Sequence, residues 1–247
     1  GPDCLFTVRS RAGSETRVLV LTQKQAGQIW KARLWGADRL FLSADTMIFD
    51  RKGVLWTQSR QPRMSFGVYP APKLSLPSAS EGLFTRFGIS VPEHKVQVTW
   101  EKVRDPAQAA PVRVDNQGAA FAPADSTITA ESGVWRVRVD PAALVGVHEV
   151  FLDIDYAGDI GRAYLGDRFV DDDYYFGRTW EIGLSRFAPE VLEKGLKITV
   201  LPLRKDAPIY LPPGRWPDFG GHSEIGAIRG ITAAVLYEAR VPEPLAP

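Results

Sequence analysis

Short runs in which apolar and polar residues alternate recur along the whole chain, with the two-residue period of a half-buried strand. Val96, Val98 and Trp100 alternate with Lys95, Gln97 and Thr99. Trp135, Val137 and Val139 alternate with Arg136, Arg138 and Asp140, and Val150, Leu152 and Ile154 with Phe151, Asp153 and Asp155. Further β-rich runs cover 17–21, 39–42, 46–50, 54–58, 66–69, 196–200 and 233–239, with Asp50-Arg51-Lys52-Gly53 as a turn. The segment from Arg162 to Val170 predicts a hairpin, and Gly166-Asp167 has the glycine-first order of a type II′ turn. A single helical insertion is expected over 22–31, with Thr22 as its cap and Gln25 three residues on.

These elements predict an all-β chain. A (β/α)₈ barrel needs about 250 residues, and 247 are present. The barrel also needs strands alternating with helices of about 10–15 residues, and no such alternation occurs. Residues 103–125, rich in Ala, Pro, Gln and Gly, lose the periodicity and predict a linker or crossover. The expected architecture is therefore two β-sandwich units, a small one over 1–110 and a second over 111–247.

Composition narrows the function classes. Gly 22 and Pro 19 suit many strands joined by tight turns. The net charge of +1 supplies no global field for nucleic acid. No apolar run approaches the roughly 18 residues that span a bilayer, so neither nucleic acid nor a membrane is an expected partner. One cysteine, Cys4, excludes an internal disulfide framework and a zinc site built from several cysteines. The opening Gly1-Pro2 has the form of a protease scar, which suggests a module cut from a longer chain or a mature fragment.

Candidate chemistry concentrates between Asp153 and Arg178. Residues 153–173 hold seven aspartates against Arg162 and Arg168, a local charge of −5. Such a group has oxygen ligands for Ca²⁺, but the spacing is not that of an EF-hand. Paired carboxylates also perform glycoside hydrolysis, and solvated turns are the structural alternative. Next comes Tyr174-Tyr175-Phe176-Gly177-Arg178-Thr179-Trp180-Glu181. Exposed rings beside Asp and Arg suit a pyranose, whose apolar face stacks on an aromatic while polar groups fix its hydroxyls. The same rings, taken alternately, also suit a sandwich core. The loop Arg215-Trp216-Pro217-Asp218-Phe219-Gly220-Gly221-His222 offers Trp216 either as a surface platform or as a packing plug, with His222 on a Gly-rich turn. His94, His148 and His222 show no metal-ligand spacing. Neither a Gly-x-Ser-x-Gly elbow nor a phosphate-cradling Gly-rich loop is present.

The stretch from Val150 to Asp159, then Arg162-Ala163-Tyr164-Leu165, Asp173 and Gly177 to Leu184, resembles the C-terminal β-sandwich of bacterial glycoside hydrolase family 35, the β-galactosidase-like proteins. So do Leu201-Pro202-Leu203 and Asp206 to Pro212, and the segment Leu21 to Ala26 with Trp30 is similar to the small β domain before it. Members of that family carry their catalytic glutamates on a (β/α)₈ barrel, which nothing in this chain resembles, so no catalytic residue transfers. The resemblance implies that 111–247 is a galactose-binding-like jelly roll, that the parent chain carries a catalytic barrel and is exported from a bacterium, and that a structural Ca²⁺ is the metal to look for. No other cofactor is expected. The leading expectation is a non-catalytic carbohydrate-binding module, with Tyr175, Trp180 or Trp216 as stacking platforms and Asp173, Arg178 and His222 fixing hydroxyls. A structural domain that packs against the barrel or mediates oligomerisation is the second expectation. A self-contained glycan-active enzyme using the Asp153–Asp173 cluster is the third.

Overall fold

A computed structural model describes residues 4–245; Gly1-Pro2 lies outside the described residues. The chain is all-β and divides into two compact units, Gly1–Glu93 with Leu236–Pro247, and His94–Val235. This division differs from the expected seam at 110 on two counts, both set by strand pairing. Residues before 110 already belong to the second unit, because Val98–Arg104 pairs antiparallel with Gly133–Val139. The end of the chain returns to the first unit, where Tyr237–Arg240 pairs with Trp56–Ser59.

The first unit contains strands β1 (Cys4–Arg9), β2 (Glu15–Val20), β3 (Ile29–Leu34), β4 (Ala37–Leu42), β5 (Thr46–Phe49), β6 (Leu55–Ser59), β7 (Arg63–Tyr69), β8 (Ser78–Glu81) and β9 (Phe84–Ser90). One sheet has the order β3-β4-β7-β9-β8, and β5 and β6 pair beside the chain's last strand. Phe41, Phe66, Val68 and Phe87 pack with Met47, Leu55 and Val241 as its core. The expected helix shrinks to one turn, α1 (Gln23–Ala26), but its cap has the anticipated form. Thr22 Oγ1 accepts from the Gln25 backbone N–H, and Gln25 Oε1 accepts from that of Thr22. β1 and β2 form a separate hairpin.

The second unit contains β10 (Val98–Arg104), α2 (Asp125–Glu131), β11 (Gly133–Val139), β12 (Glu149–Ala157), β13 (Ile160–Leu165), β14 (Arg168–Tyr174), β15 (Trp180–Gly183), α3 (Glu190–Lys194), β16 (Leu196–Val200), β17 (Leu203–Arg204), β18 (Glu224–Ile225) and the start of β19 (Ala227–Arg240). One sheet has the order β10-β11-β16-β13-β14, and β15, β12 and β19 lie side by side in another. Alternation fixes which faces meet. Trp135, Val137 and Val139 of β11 and Val150, Leu152, Ile154 and Tyr156 of β12 are all buried, while Arg136 and Arg138 are exposed. Burial of such side chains, each contributing about 1.5–3 kcal/mol, drives the sheets together. The predicted hairpin is β13–β14, with Leu165 paired to Arg168 across Gly166-Asp167. Gly166 has φ 58° and Asp167 is not among the positive-φ residues, the sign pattern of a type II′ turn. Trp100, expected on a half-buried face, is more open at 38% exposure because β10 is an edge strand.

A cavity beside the aromatic cluster

The turn between β12 and β13 is where backbone geometry creates a candidate site. Gly158 allows it: a Cβ there would stand 2.3 Å from Val200 Cγ1 and 2.8 Å from the Leu201 carbonyl oxygen. The next residue, Asp159, is held on both sides by its backbone. Its N–H donates to the Leu201 carbonyl at 2.7 Å, and its carbonyl accepts from the Tyr175 N–H at 2.9 Å. Its carboxylate, by contrast, has no hydrogen bond or ion pair among the described residues. Burial alone lifts its pKa to about 6.

Asp159 forms part of the wall of a cavity of about 410 Å³ inside the second unit. Much of the rest of the wall comes from 109–113 and 120–124, so the segment expected to be a linker is a structural part of this unit. Long-range bonds secure it. The Ala109 N–H donates to Glu224 Oε2 at 3.1 Å and the Ala110 N–H to Glu131 Oε2 at 2.9 Å, while Arg204 Nη1 donates to the Ala109 carbonyl at 3.2 Å. Between them, Asp115 Oδ1 accepts from the Gln117 and Ala119 N–H groups, and Val114 bridges Ala120. That small loop carries Arg113 and Phe121, both exposed. Tyr174, at the end of β14, lines the cavity with 58% of its surface open.

The aromatic run after Asp173 divides between surface and core. Tyr175 and Trp180 are 7% and 5% exposed and meet the Tyr156 ring edge-to-face, with centroids 5.5 and 6.1 Å away. A Cβ on Gly161 would touch the Trp180 ring at 2.9 Å, so that ring lies directly on β13. Tyr175 and Trp180 are therefore framework side chains, not stacking platforms; a sugar cannot reach faces already covered by protein. The Tyr156 hydroxyl donates to Asp173 Oδ2 at 2.8 Å. Burial raises the Asp173 pKa, opposed by the Tyr156 hydrogen bond and the Arg178 charge. Burial and the Asp173 carboxylate together push the Tyr156 phenol above its ordinary range.

Three of the remaining candidates lie on adjoining elements. Asp173 feels Arg178 electrostatically, and Arg178 lies over the Phe176 ring at 5.6 Å. Arg215 Nη1 donates to the Gly177 carbonyl at 2.9 Å, which sets the Trp216 loop beside Arg178. Trp216 is half-buried and meets Phe219 at 6.4 Å. His222 is exposed in a turn closed by its own N–H on the Phe219 carbonyl, and it has no hydrogen bond or ring contact with the others.

The aspartates expected to suit Ca²⁺ are spread out. Asp155 pairs with Arg229, Asp167 with Lys197 and Asp171 with Arg186. Among the described residues no group of three or more metal-ligating side chains is gathered. Sequence reasoning placed Asp159 only within that acidic group and missed Arg113, Phe121 and Glu131 as cavity residues. The one local signal was Gly158-Asp159 between two strand patterns. No family model, no curated protein and no solved structure matches this chain.

Proposed function

We propose that the chain is a non-catalytic carbohydrate-binding β-sandwich module, part of a polysaccharide-degrading glycoside hydrolase of the family 35 type, and that its second unit is a jelly roll. The observation that carries this reading is the cavity of about 410 Å³ with an open Tyr174 ring and an unpartnered Asp159 carboxylate. Small-molecule sites are typically about 300–1,000 Å³, mostly apolar, with a few converging polar groups. Tyr174 takes the stacking role that burial denies to Tyr175 and Trp180, and Asp159 accepts from the sugar. Asp173, Arg178 and Trp216 are not part of the cavity lining; Arg215 Nη1 on the Gly177 carbonyl ties the Trp216 loop to the segment that follows Tyr174. Calorimetric titration with galactans, xyloglucan and agar fragments tests the proposal. Heat that disappears in Tyr174→Ala supports it, and no heat with any glycan refutes it. Hydrolysis of a glycan by the isolated chain would refute the non-catalytic part.

One observation favours the structural alternative. The β1–β2 hairpin exposes Phe6, Val8 and Val20, and a lone two-stranded hairpin is at best marginally stable in water. A chain that self-associates and binds no glycan would fit this second reading.

A further inference from the structure

The cavity wall is unequal in its offer of hydrogen bonds. Ala109, Ala122, Pro123, Ile160, Leu201 and Ile209 supply an apolar lining. The charged groups around it are already engaged, with two exceptions. Arg204 is forked onto Asp206, Nε to Oδ1 and Nη2 to Oδ2 at 2.8 Å each, and its remaining nitrogen holds the Ala109 carbonyl. Glu131 is tied to the Ala110 N–H. Arg113 has no side-chain partner among the described residues but is exposed on the outer loop. Asp159 is the other exception, and it is the half-buried one. A half-buried carboxylate without protein donors pays part of the cost of leaving water, and a ligand that brings donors or opposite charge offsets it. A neutral pyranose brings only hydroxyl donors and no compensating charge. An ammonium brings three donors and the missing charge in one compact group.

We propose that the cavity selects a glycan carrying a free primary amine, an amino sugar, whose ammonium pairs with the Asp159 carboxylate while its ring lies on Tyr174. This rests on the carbohydrate reading and adds the class of sugar. Charge-assisted hydrogen bonds are roughly twice as strong as neutral ones, so the amine is worth about a tenfold gain in affinity.

The test is calorimetry near neutral pH on the full chain with three glycans: a glucosamine oligomer, the same oligomer N-acetylated, and a neutral galacto-oligosaccharide. The expected result is at least about tenfold tighter binding of the free-amine oligomer. Asp159→Asn, which keeps the side-chain volume, should erase that preference while circular dichroism remains unchanged. Tyr174→Ala should weaken the free-amine and N-acetylated oligomers by the same factor. Equal affinity for all three glycans, or a preference that survives Asp159→Asn, overturns the inference and leaves the carbohydrate reading standing. No heat with any of them overturns both.

Discussion

Replacing Asp159 by asparagine should stabilise the unliganded protein at neutral pH, and the gain should vanish in acid. Burial lifts the Asp159 pKa to about 6, against an ordinary aspartate value of about 3.9. A carboxyl whose pKa is raised by folding binds its proton more tightly in the folded state. Its favourable contribution is therefore complete below about pH 4 and is lost as the pH rises through about 6. At about 1.36 kcal/mol per pH unit, the wild type gives up about 3 kcal/mol across that window. The amide of the Asp159→Asn variant carries no charge at any pH and lacks this slope. The advantage of Asp159→Asn should be near zero below about pH 4 and reach about 3 kcal/mol above about pH 7. Chemical denaturation of both proteins at a series of pH values measures it, and taking the difference removes the titration of every other carboxylate. A difference that is flat with pH, or a variant less stable at pH 7, would refute the claim that this half-buried carboxylate has no partner in the protein.

The same frame separates Tyr174 from Trp180: Tyr174→Ala should change stability by less than about 0.5 kcal/mol, as at other exposed positions, whereas Trp180→Ala should cost about 3–5 kcal/mol. Equal losses in denaturation midpoints would contradict their assignment to surface and core. Gly158→Ala should destabilise by about 1–3 kcal/mol, because its Cβ would meet Val200 and the Leu201 backbone. It should also weaken glycan binding by moving Asp159, so a variant of normal stability and affinity would refute the tight-turn argument.

What was legible in the sequence was local. The phase of alternation at 135–139 and 150–154 identified the buried faces of β11 and β12, since a strand with one wet face has no other register. Thr22 with Gln25, and Gly166-Asp167, carried enough chemistry in adjacent residues to specify a cap and a turn. The aromatic run was ambiguous for a physical reason: after Tyr174 the strand ends, and Gly177, at φ 65°, breaks the alternation. No period then says whether Tyr175 or Trp180 points inward. The cavity wall was illegible because 105–124 owes its order to Glu224, Glu131 and Arg204, which are distant in sequence for the most part. Ala and Pro there carry no pattern, and their backbone partners leave no mark in the local sequence. The unit boundary failed for a similar reason, since the pairing of β10 with β11 spans that same segment.

The buried aromatics and the open carboxylate are two sides of one arrangement. Trp180 and Tyr175 enclose Tyr156, whose hydroxyl finds Asp173, so the polar group at the centre of this core is satisfied. The Tyr175 backbone in turn grips the Asp159 carbonyl, and Leu201 grips its N–H. The backbone polar groups of Asp159 are thereby used, while the side chain that emerges from the turn is left without a donor. An acid whose pKa is raised by burial and which meets no donor is the kind of local conflict found where function competes with stability. The aromatic cluster therefore acts on Asp159 through the backbone: the Tyr175 N–H fixes its carbonyl and leaves its carboxylate without a protein donor.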